Sequence, residues 1–106
     1  MKIHHVALAV TDLAAAEAFY VGVLGLTVLS RGERSLWLDL DGAILMLELE
    51  GRAGGPHCLA LAIAPSERAA WRARLGAALE AESRHTLYAR DPFGNRIGLS
   101  HYPAPE

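Results

Sequence analysis

The chain has 106 residues, a formal net charge of −2, a composition that is 52% hydrophobic and 21% charged, and one cysteine. This length is typical of one domain with a single sizeable core, and the composition excludes a disordered chain. The small net charge indicates no basic surface, so we expect neither nucleic acid nor a membrane as a partner. Cys58 alone excludes an intrachain disulfide, but five histidines and twelve acidic residues leave a small metal site open.

No apolar run approaches the roughly 20 residues that span a bilayer. The apolar run that follows the N-terminal residues 1–5 covers only residues 6–10, which is too short for the apolar region of a signal peptide. We therefore expect a cytoplasmic protein.

An internal repeat organises the chain. The segment HHVALAV at residues 4–10 matches HCLALAI at residues 57–63 position for position, and an alanine-rich stretch follows each. Self-similarity of this kind indicates two copies of one structural unit of about 53 residues. We predict a single domain over residues 1–106. It would consist of a first module over residues 1–50, a linker over residues 51–56 and a second module over residues 57–106.

The first module predicts a strand, a helix and three further strands. Alternating apolar residues indicate a strand over residues 3–10. Thr11 or Asp12 is a suitable N-cap for a helix that runs to about residue 24. The Asp41-Gly42 pair predicts a tight hairpin turn. The remaining strands of this module are expected over residues 26–30, 36–40 and 43–50.

The second module predicts the same order of elements. A strand is expected over residues 58–64, and Pro65 suits the first turn of a helix that runs to about residue 79. Residues 91–95, with the sequence DPFGN, predict a tight turn before the last strand. Three arginines are expected on the solvated side of the helix: Arg68, Arg72 and Arg74. The remaining strands are expected over residues 80–82, 85–90 and 95–102.

The opening segment HHVALAVTDLAAAEAFYVGVLGL and the closing segment DPFGNRIGL resemble the vicinal oxygen chelate superfamily. This group contains glyoxalase I, extradiol dioxygenases, methylmalonyl-CoA epimerase and the fosfomycin- and bleomycin-resistance proteins. The resemblance covers essentially the whole chain. It implies an α+β fold in which two tandem βαβββ modules form a curved, mixed, mostly antiparallel sheet. It also implies a ligand site in the concave groove, where enzymes of the group hold a divalent ion that polarises two substrate oxygens.

The resemblance carries individual positions over to this chain. His5, immediately before VALAV, matches the metal-binding histidine of the first strand, and its counterpart in the second module is Cys58. Gly98, after DPFGNRI, stands where the group has an acidic residue on the last strand. The repeat partner of Gly98 is Met46, and Glu48 lies two residues further along the same strand face. The register of this strand decides whether Met46 or Glu48 occupies the ligand position.

Each of these residues has two interpretations. His5 is either a ligand or catalytic base, or a histidine that lines a cavity. Cys58 is either a thiolate ligand for an ion such as Zn²⁺ or a small buried hydrophobic residue, and we favour the buried residue. Glu48 either binds an ion or proton, or faces water. Met46 and Trp37 either form an apolar ligand platform or fill the sheet or a dimer interface.

Three classes of function remain. We favour a metal-free small-molecule binder without a cofactor, because Gly98 supplies no carboxylate for a hard divalent ion. The first alternative is a metal-dependent lyase, isomerase or dioxygenase that binds Zn, Ni, Mn or Fe through His5, Glu48 and Cys58. The second is a dimerisation or interaction module without catalysis. We expect a homodimer, because the unpaired backbone groups at an open sheet edge favour pairing with a second copy of the chain. The predicted ligand-binding residues are His5, Trp37, Met46, Glu48, Cys58 and Gly98.

Overall fold

The computed structural model describes residues 1–102 of the chain, so the last four positions of the predicted second module lie outside the described residues. The chain divides into two compact units, and the boundary between them falls between Gly54 and Gly55. This boundary lies inside the predicted linker. Over residues 1–102, none of the helices has the length and apolar character needed to cross a membrane.

The first unit contains one helical segment and a four-stranded mixed sheet. Its helix α1 covers Leu13–Glu17 and continues as a π-helix over Ala18–Val23. The strands are β1 (His5–Val10), β2 (Val28–Arg31), β3 (Ser35–Leu40) and β4 (Ala43–Leu49). The strand order is β1-β4-β3-β2, in which β1 and β4 are parallel and the other pairs are antiparallel.

The second unit has the same order of elements. Its helix α2 covers Arg68–Leu75, with 3₁₀ turns over Pro65–Glu67 and Gly76–Ala78 on either side. The strand order β5-β8-β7-β6 again has one parallel pair, β5 with β8. The predicted α+β fold of two βαβββ modules is confirmed. The strands are β5 (Cys58–Ala62), β6 (Leu79–Glu82), β7 (Thr86–Arg90) and β8 (Arg96–Ser100).

The helical segment of the first unit differs from the regular α-helix predicted to residue 24. Asp12 is the N-cap, and its carboxylate accepts a hydrogen bond from the Ala15 N–H at 3.0 Å. Further along, the Leu24 N–H donates to the Phe19 carbonyl five residues earlier, at 2.9 Å, as in a π-helix. A π-helix turns less per residue than an α-helix. Consequently both of the consecutive rings, Phe19 and Tyr20, are buried.

In each sheet, buried residues alternate along the strands with more exposed ones. One side of the sheet therefore faces the core, and the other side carries no helix. In β4, Leu45 and Leu47 are fully buried, whereas the residues between and after them are only half-buried. The same alternation in β8 buries Ile97 and Leu99. Asp41 and Gly42 form the predicted two-residue hairpin turn between β3 and β4, with φ values of 53° and 101°. The turn and the alternation together determine which residues of β4 face away from the helix.

Arginines of α2 connect this helix to β6 and the loop that follows it. Arg68 donates to the Glu82 carboxylate at 3.0 Å and to the Ser83 carbonyl at 2.7 Å. Arg72 makes two further hydrogen bonds to the same carboxylate. The side chain of Arg68 is only 18% exposed, so the prediction of a solvated Arg68 is wrong. A planar guanidinium with several donors can bond a carboxylate and backbone carbonyls at once, which explains its position between helix and loop.

Glu82→Gln is expected to lower the melting temperature near neutral pH and to have little effect at pH 2. Hydrogen bonds from Arg72 and Arg68 lower the pKa of Glu82 from 4.5 to about 2 in the folded chain. The carboxylate therefore stabilises the fold above pH 4.5, and this contribution is lost as the pH falls from 4.5 to about 2. Thermal unfolding followed by circular dichroism across this range measures the difference between the two proteins.

Glu33→Gln is the matched control for this experiment. Glu33 is exposed, and within residues 1–102 it makes no ion pair. We expect its melting temperature to follow the wild type at every pH. A loss in Glu82→Gln that stays constant from pH 7 to pH 2 would contradict the role assigned to the Glu82 carboxylate.

Candidate functional site

Four of the predicted site residues lie on the helix-free face of the first sheet. Leu45 and Leu47 point into the core, so Met46 and Glu48 of β4 point to the opposite side. Trp37 of β3 is the direct neighbour of Met46. His5 stands at the start of β1 on the same face. The sheet therefore places on one face residues that are up to 43 positions apart in the sequence, from His5 to Glu48.

The register of the strands places Met46 at the centre of this face. Met46 lies opposite Ala7 on one side and Trp37 on the other. The same register in the second unit places Gly98 opposite Ala60. Met46 is therefore the structural counterpart of Gly98, as counting along the repeat predicts. Glu48 lies one row further along the sheet, opposite Ala9.

Trp37 carries a hydrogen-bond donor without an acceptor. Its indole Nε1 is buried and makes no hydrogen bond to any of residues 1–102, although the side chain as a whole is only half-buried. Buried polar groups in folded proteins nearly always have a partner, so an unmatched donor on this face is unusual. The adjacent Met46 has a flexible, polarisable side chain that adapts to apolar groups. With the small Ala7 beside them, these residues form an apolar platform that carries one donor.

His5 is exposed and contacts the neighbouring histidine. The Nδ1 atoms of His4 and His5 are 2.9 Å apart, and the two rings meet edge to face. At this distance one ring donates through Nδ1 and the other accepts. The Nε2 atom of His5 has no hydrogen-bond partner within residues 1–102. This nitrogen is available to a ligand at the edge of the helix-free face.

The spacing of His5 and Glu48 does not suit two ligands of one divalent ion. His5 lies opposite Ile44, so it is four residues from the Glu48 row along the parallel strands. At 3.3 Å per residue this is a separation of about 13 Å. Two zinc ligands place their donor atoms within about 4.5 Å of each other, so the two side chains would have to span most of the separation between these rows. No three histidine, cysteine or acidic side chains of the described part converge on a possible ion position.

Cys58 and Gly98 lie on the second sheet. Cys58 is an exposed free thiol, so its interpretation as a small buried residue is wrong. Gly98 is buried, and a Cβ atom added there would lie 3.3 Å from Cγ2 of Thr86 and 3.5 Å from the Cys58 sulfur. Glycine at this position lets the Thr86 side chain approach the backbone closely. A larger side chain, including the acidic residue expected from the resemblance, would require Thr86 to move.

Two residues beside Gly98 did not emerge from the sequence. The Arg96 guanidinium lies 4.0 Å from the centre of the Tyr88 ring. Tyr88 is the cross-strand neighbour of Gly98, and Arg96 lies two residues before it on the same face. Period-two spacing from Gly98 could have indicated Arg96. The contact with Tyr88 depends on the register between β7 and β8.

Comparisons with known proteins cover almost the whole chain. The family model described as the Glyoxalase/Bleomycin resistance protein/Dioxygenase superfamily matches residues 2–99. A possible glyoxalase from Bacillus cereus is 27% identical with a TM-score of 0.81, over 94% of this chain and 98% of that chain. Lactoylglutathione lyase from Agrobacterium tumefaciens is 25% identical with a TM-score of 0.76, over 92% and 91%.

A more distant structure shows the fold alone. The fosfomycin resistance protein from Mesorhizobium loti is 14% identical with a TM-score of 0.79, over 93% of this chain and 90% of that chain. The search of curated proteins found no match. The similar structures thus carry names of both lyase and resistance proteins, on one fold.

Proposed function

This chain belongs to the Glyoxalase/Bleomycin resistance protein/Dioxygenase superfamily, and from that premise we propose that it binds a small molecule on the helix-free face of its first sheet. The observation that supports this proposal is the unmatched indole N–H of Trp37 beside the half-buried Met46. A ligand with an apolar or aromatic part would cover Met46. An acceptor on the same ligand would pair with the donor of Trp37.

The proposed ligand is held without a metal ion. The backbone rows of His5 and Glu48 lie about 13 Å apart along the strands, a long separation for two ligands of one ion. The two side chains are instead polar contacts at opposite ends of the apolar platform, each one row from Met46, which corresponds to about 7 Å. The face therefore suits an elongated ligand with an apolar centre and polar ends.

Binding is expected to change the fluorescence of Trp37. The chain has two tryptophans, so a Trp71→Phe variant retains Trp37 as its only indole. In this variant a bound ligand is expected to shift or quench the emission, and the added Met46→Ala change is expected to weaken binding about tenfold, or about 1.4 kcal/mol. Fluorescence titration with a panel of aromatic acids, thioether conjugates and phosphonates measures both effects.

The reverse variant, Trp37→Phe, retains only Trp71 on α2 and is the control. Its emission is expected to remain unchanged with the same compounds. Near-stoichiometric metal in protein purified without chelators, lost in a His5→Ala variant, would contradict the metal-free proposal and favour a metal-dependent enzyme. Absence of any response across the panel would contradict small-molecule binding itself and favour an interaction module.

The proposal also includes a homodimer. Strand β2 lies at the edge of its sheet, and no strand of the described residues pairs with its outer side. Leu29 on this strand is 53% exposed. Pairing with a second copy along such an edge would cover both the backbone groups and the leucine.

A further inference from the structure

The helix-free face of the second sheet carries more positive charge than its carboxylates neutralise. Arg90 and Arg96 are cross-strand neighbours, and both approach Glu80. Arg90 Nε donates to Glu80 Oε1 at 2.9 Å, and the same arginine donates to the Gly94 carbonyl at 2.9 Å. Arg96 Nε lies 3.6 Å from Glu80 Oε2, which is beyond hydrogen-bonding distance. One carboxylate thus faces two guanidinium groups and is bonded to Arg90.

Arg96 makes no hydrogen bond within residues 1–102, and its one ionic neighbour there is the Glu80 carboxylate at 3.6 Å. Its Nε atom is buried without a hydrogen-bond partner, and within residues 1–102 no acceptor pairs with its other nitrogens. The guanidinium carbon lies over the Tyr88 ring, 4.0 Å from its centre, a distance typical of a cation–π contact. The Nε side of the guanidinium is buried and faces Glu80, so a ligand can reach only the edge formed by the two terminal Nη nitrogens. That edge has the geometry that binds a carboxylate through two parallel hydrogen bonds.

The surroundings of Arg96 suit a small anion. Cys58 lies directly opposite Arg96 across the β5–β8 pair and is exposed. Ala60, the next residue of β5 on this face, is also exposed and has a small side chain. Gly98 contributes no carboxylate beside them. The position where the family resemblance implies an acidic side chain therefore has a cation as its neighbour, which reverses the sign of the charge that this face attracts.

We propose that Arg96, stacked on Tyr88, binds the carboxylate of a small ligand on the helix-free face of the second sheet, next to the Cys58 thiol. The subsite needs no metal ion. It does not depend on ligand binding at Trp37 and Met46, because the residues that form it all belong to the second unit.

Alkylation of Cys58 tests this subsite directly, since Cys58 is the only cysteine of the chain. Iodoacetate and iodoacetamide undergo the same reaction, in which the thiolate forms a bond to the CH₂ carbon and iodide leaves. They differ only in carrying a carboxylate or a neutral amide. We expect the ratio of the iodoacetate rate to the iodoacetamide rate to be several-fold higher for the protein than for N-acetylcysteine amide, which carries no carboxylate, at low salt. Mass spectrometry under excess reagent measures both rates.

In Arg96→Gln the ratio is expected to fall to the value for N-acetylcysteine amide. Any effect of Arg96 on the thiolate fraction or the accessibility of Cys58 changes both rates equally and cancels in the ratio. Arg96→Lys retains the positive charge but lacks the planar guanidinium group and its paired N–H donors. We expect an intermediate ratio for this variant. The lysine variant also keeps the test valid if the glutamine variant fails to fold.

Arg74→Gln is the control for the loss of one positive charge, because Arg74 is exposed on α2 and lies against the Trp71 ring. Its ratio is expected to equal that of the wild type. A ratio that is the same in wild type and both Arg96 variants would overturn the proposal. An equal decrease in Arg74→Gln would overturn it as well, since the preference would then reflect overall charge. Failure of the Trp37 titration affects neither outcome.

Discussion

Leu45→Ala is expected to lower the free energy of unfolding by about 2–5 kcal/mol, the cost typical of removing a large aliphatic side chain from a core. Leu45 is fully buried at the centre of β4, between β1 and β3. Removal of its side chain leaves a cavity that the flanking strands cannot close without breaking their hydrogen bonds. Urea unfolding followed by circular dichroism measures the loss.

Met46→Ala is the matched control, because Met46 is the next residue on the same strand. It is half-buried on the helix-free face, and we expect it to cost about 1 kcal/mol or less, since little apolar area is removed from contact. The comparison tests the register of β4 itself. A shift by one residue would exchange the two sides of the strand, so a greater loss in Met46→Ala than in Leu45→Ala would contradict the register.

Asp91→Asn is expected to lower the free energy of unfolding by about 2–4 kcal/mol, because charge-assisted hydrogen bonds in a buried site are lost. Asp91 is 4% exposed and Asn95 is fully buried. One carboxylate oxygen accepts from the backbone N–H groups of Phe93 and Asn95, and the other accepts from Asn95 Nδ2 at 2.8 Å. An amide at position 91 would place its own donor against Nδ2 of Asn95.

Asp39→Asn provides the control for a change from carboxylate to amide. Asp39 is exposed on β3, and we expect its substitution to change the unfolding free energy by less than about 0.5 kcal/mol. Urea unfolding of both variants, with wild type alongside, measures the contrast. Equal small losses in the two variants would show that the turn before β8 does not depend on the buried carboxylate.

The elements of the fold could be predicted because each depends on residues that are close in the sequence. Alternating apolar residues indicated β1 and β5, and Asp41-Gly42 indicated the β3–β4 turn by its tolerance of positive φ. The repeat then predicted that both units share one order of strands. The π-helical turn after α1 was missed because it accompanies the burial of two consecutive aromatic side chains, Phe19 and Tyr20. Local helix signals do not reveal this burial.

The candidate site could be predicted only in part. His5 and Met46 were identified by their positions in the repeat and its resemblance to a family. Arg96 and Tyr88 were not identified, because neither residue type is unusual in a strand. Their side chains meet only across the β7–β8 pair. The burial of Arg68 was missed for a similar reason, because its partners lie on a strand and a loop that follow the helix.

The sequence by itself determined the βαβββ order, the repeat and the turn residues, since these follow from the backbone preferences and periodicity of contiguous segments. The tertiary structure decided which side chains became neighbours. Strand register separated His5 from Glu48 by four residues along the sheet and placed Met46 against Trp37. It also brought Arg96 to Cys58 on one side and into contact with Tyr88 on the other. Hydrogen-bond pairing between distant strands sets that register, and no single segment of the sequence encodes it.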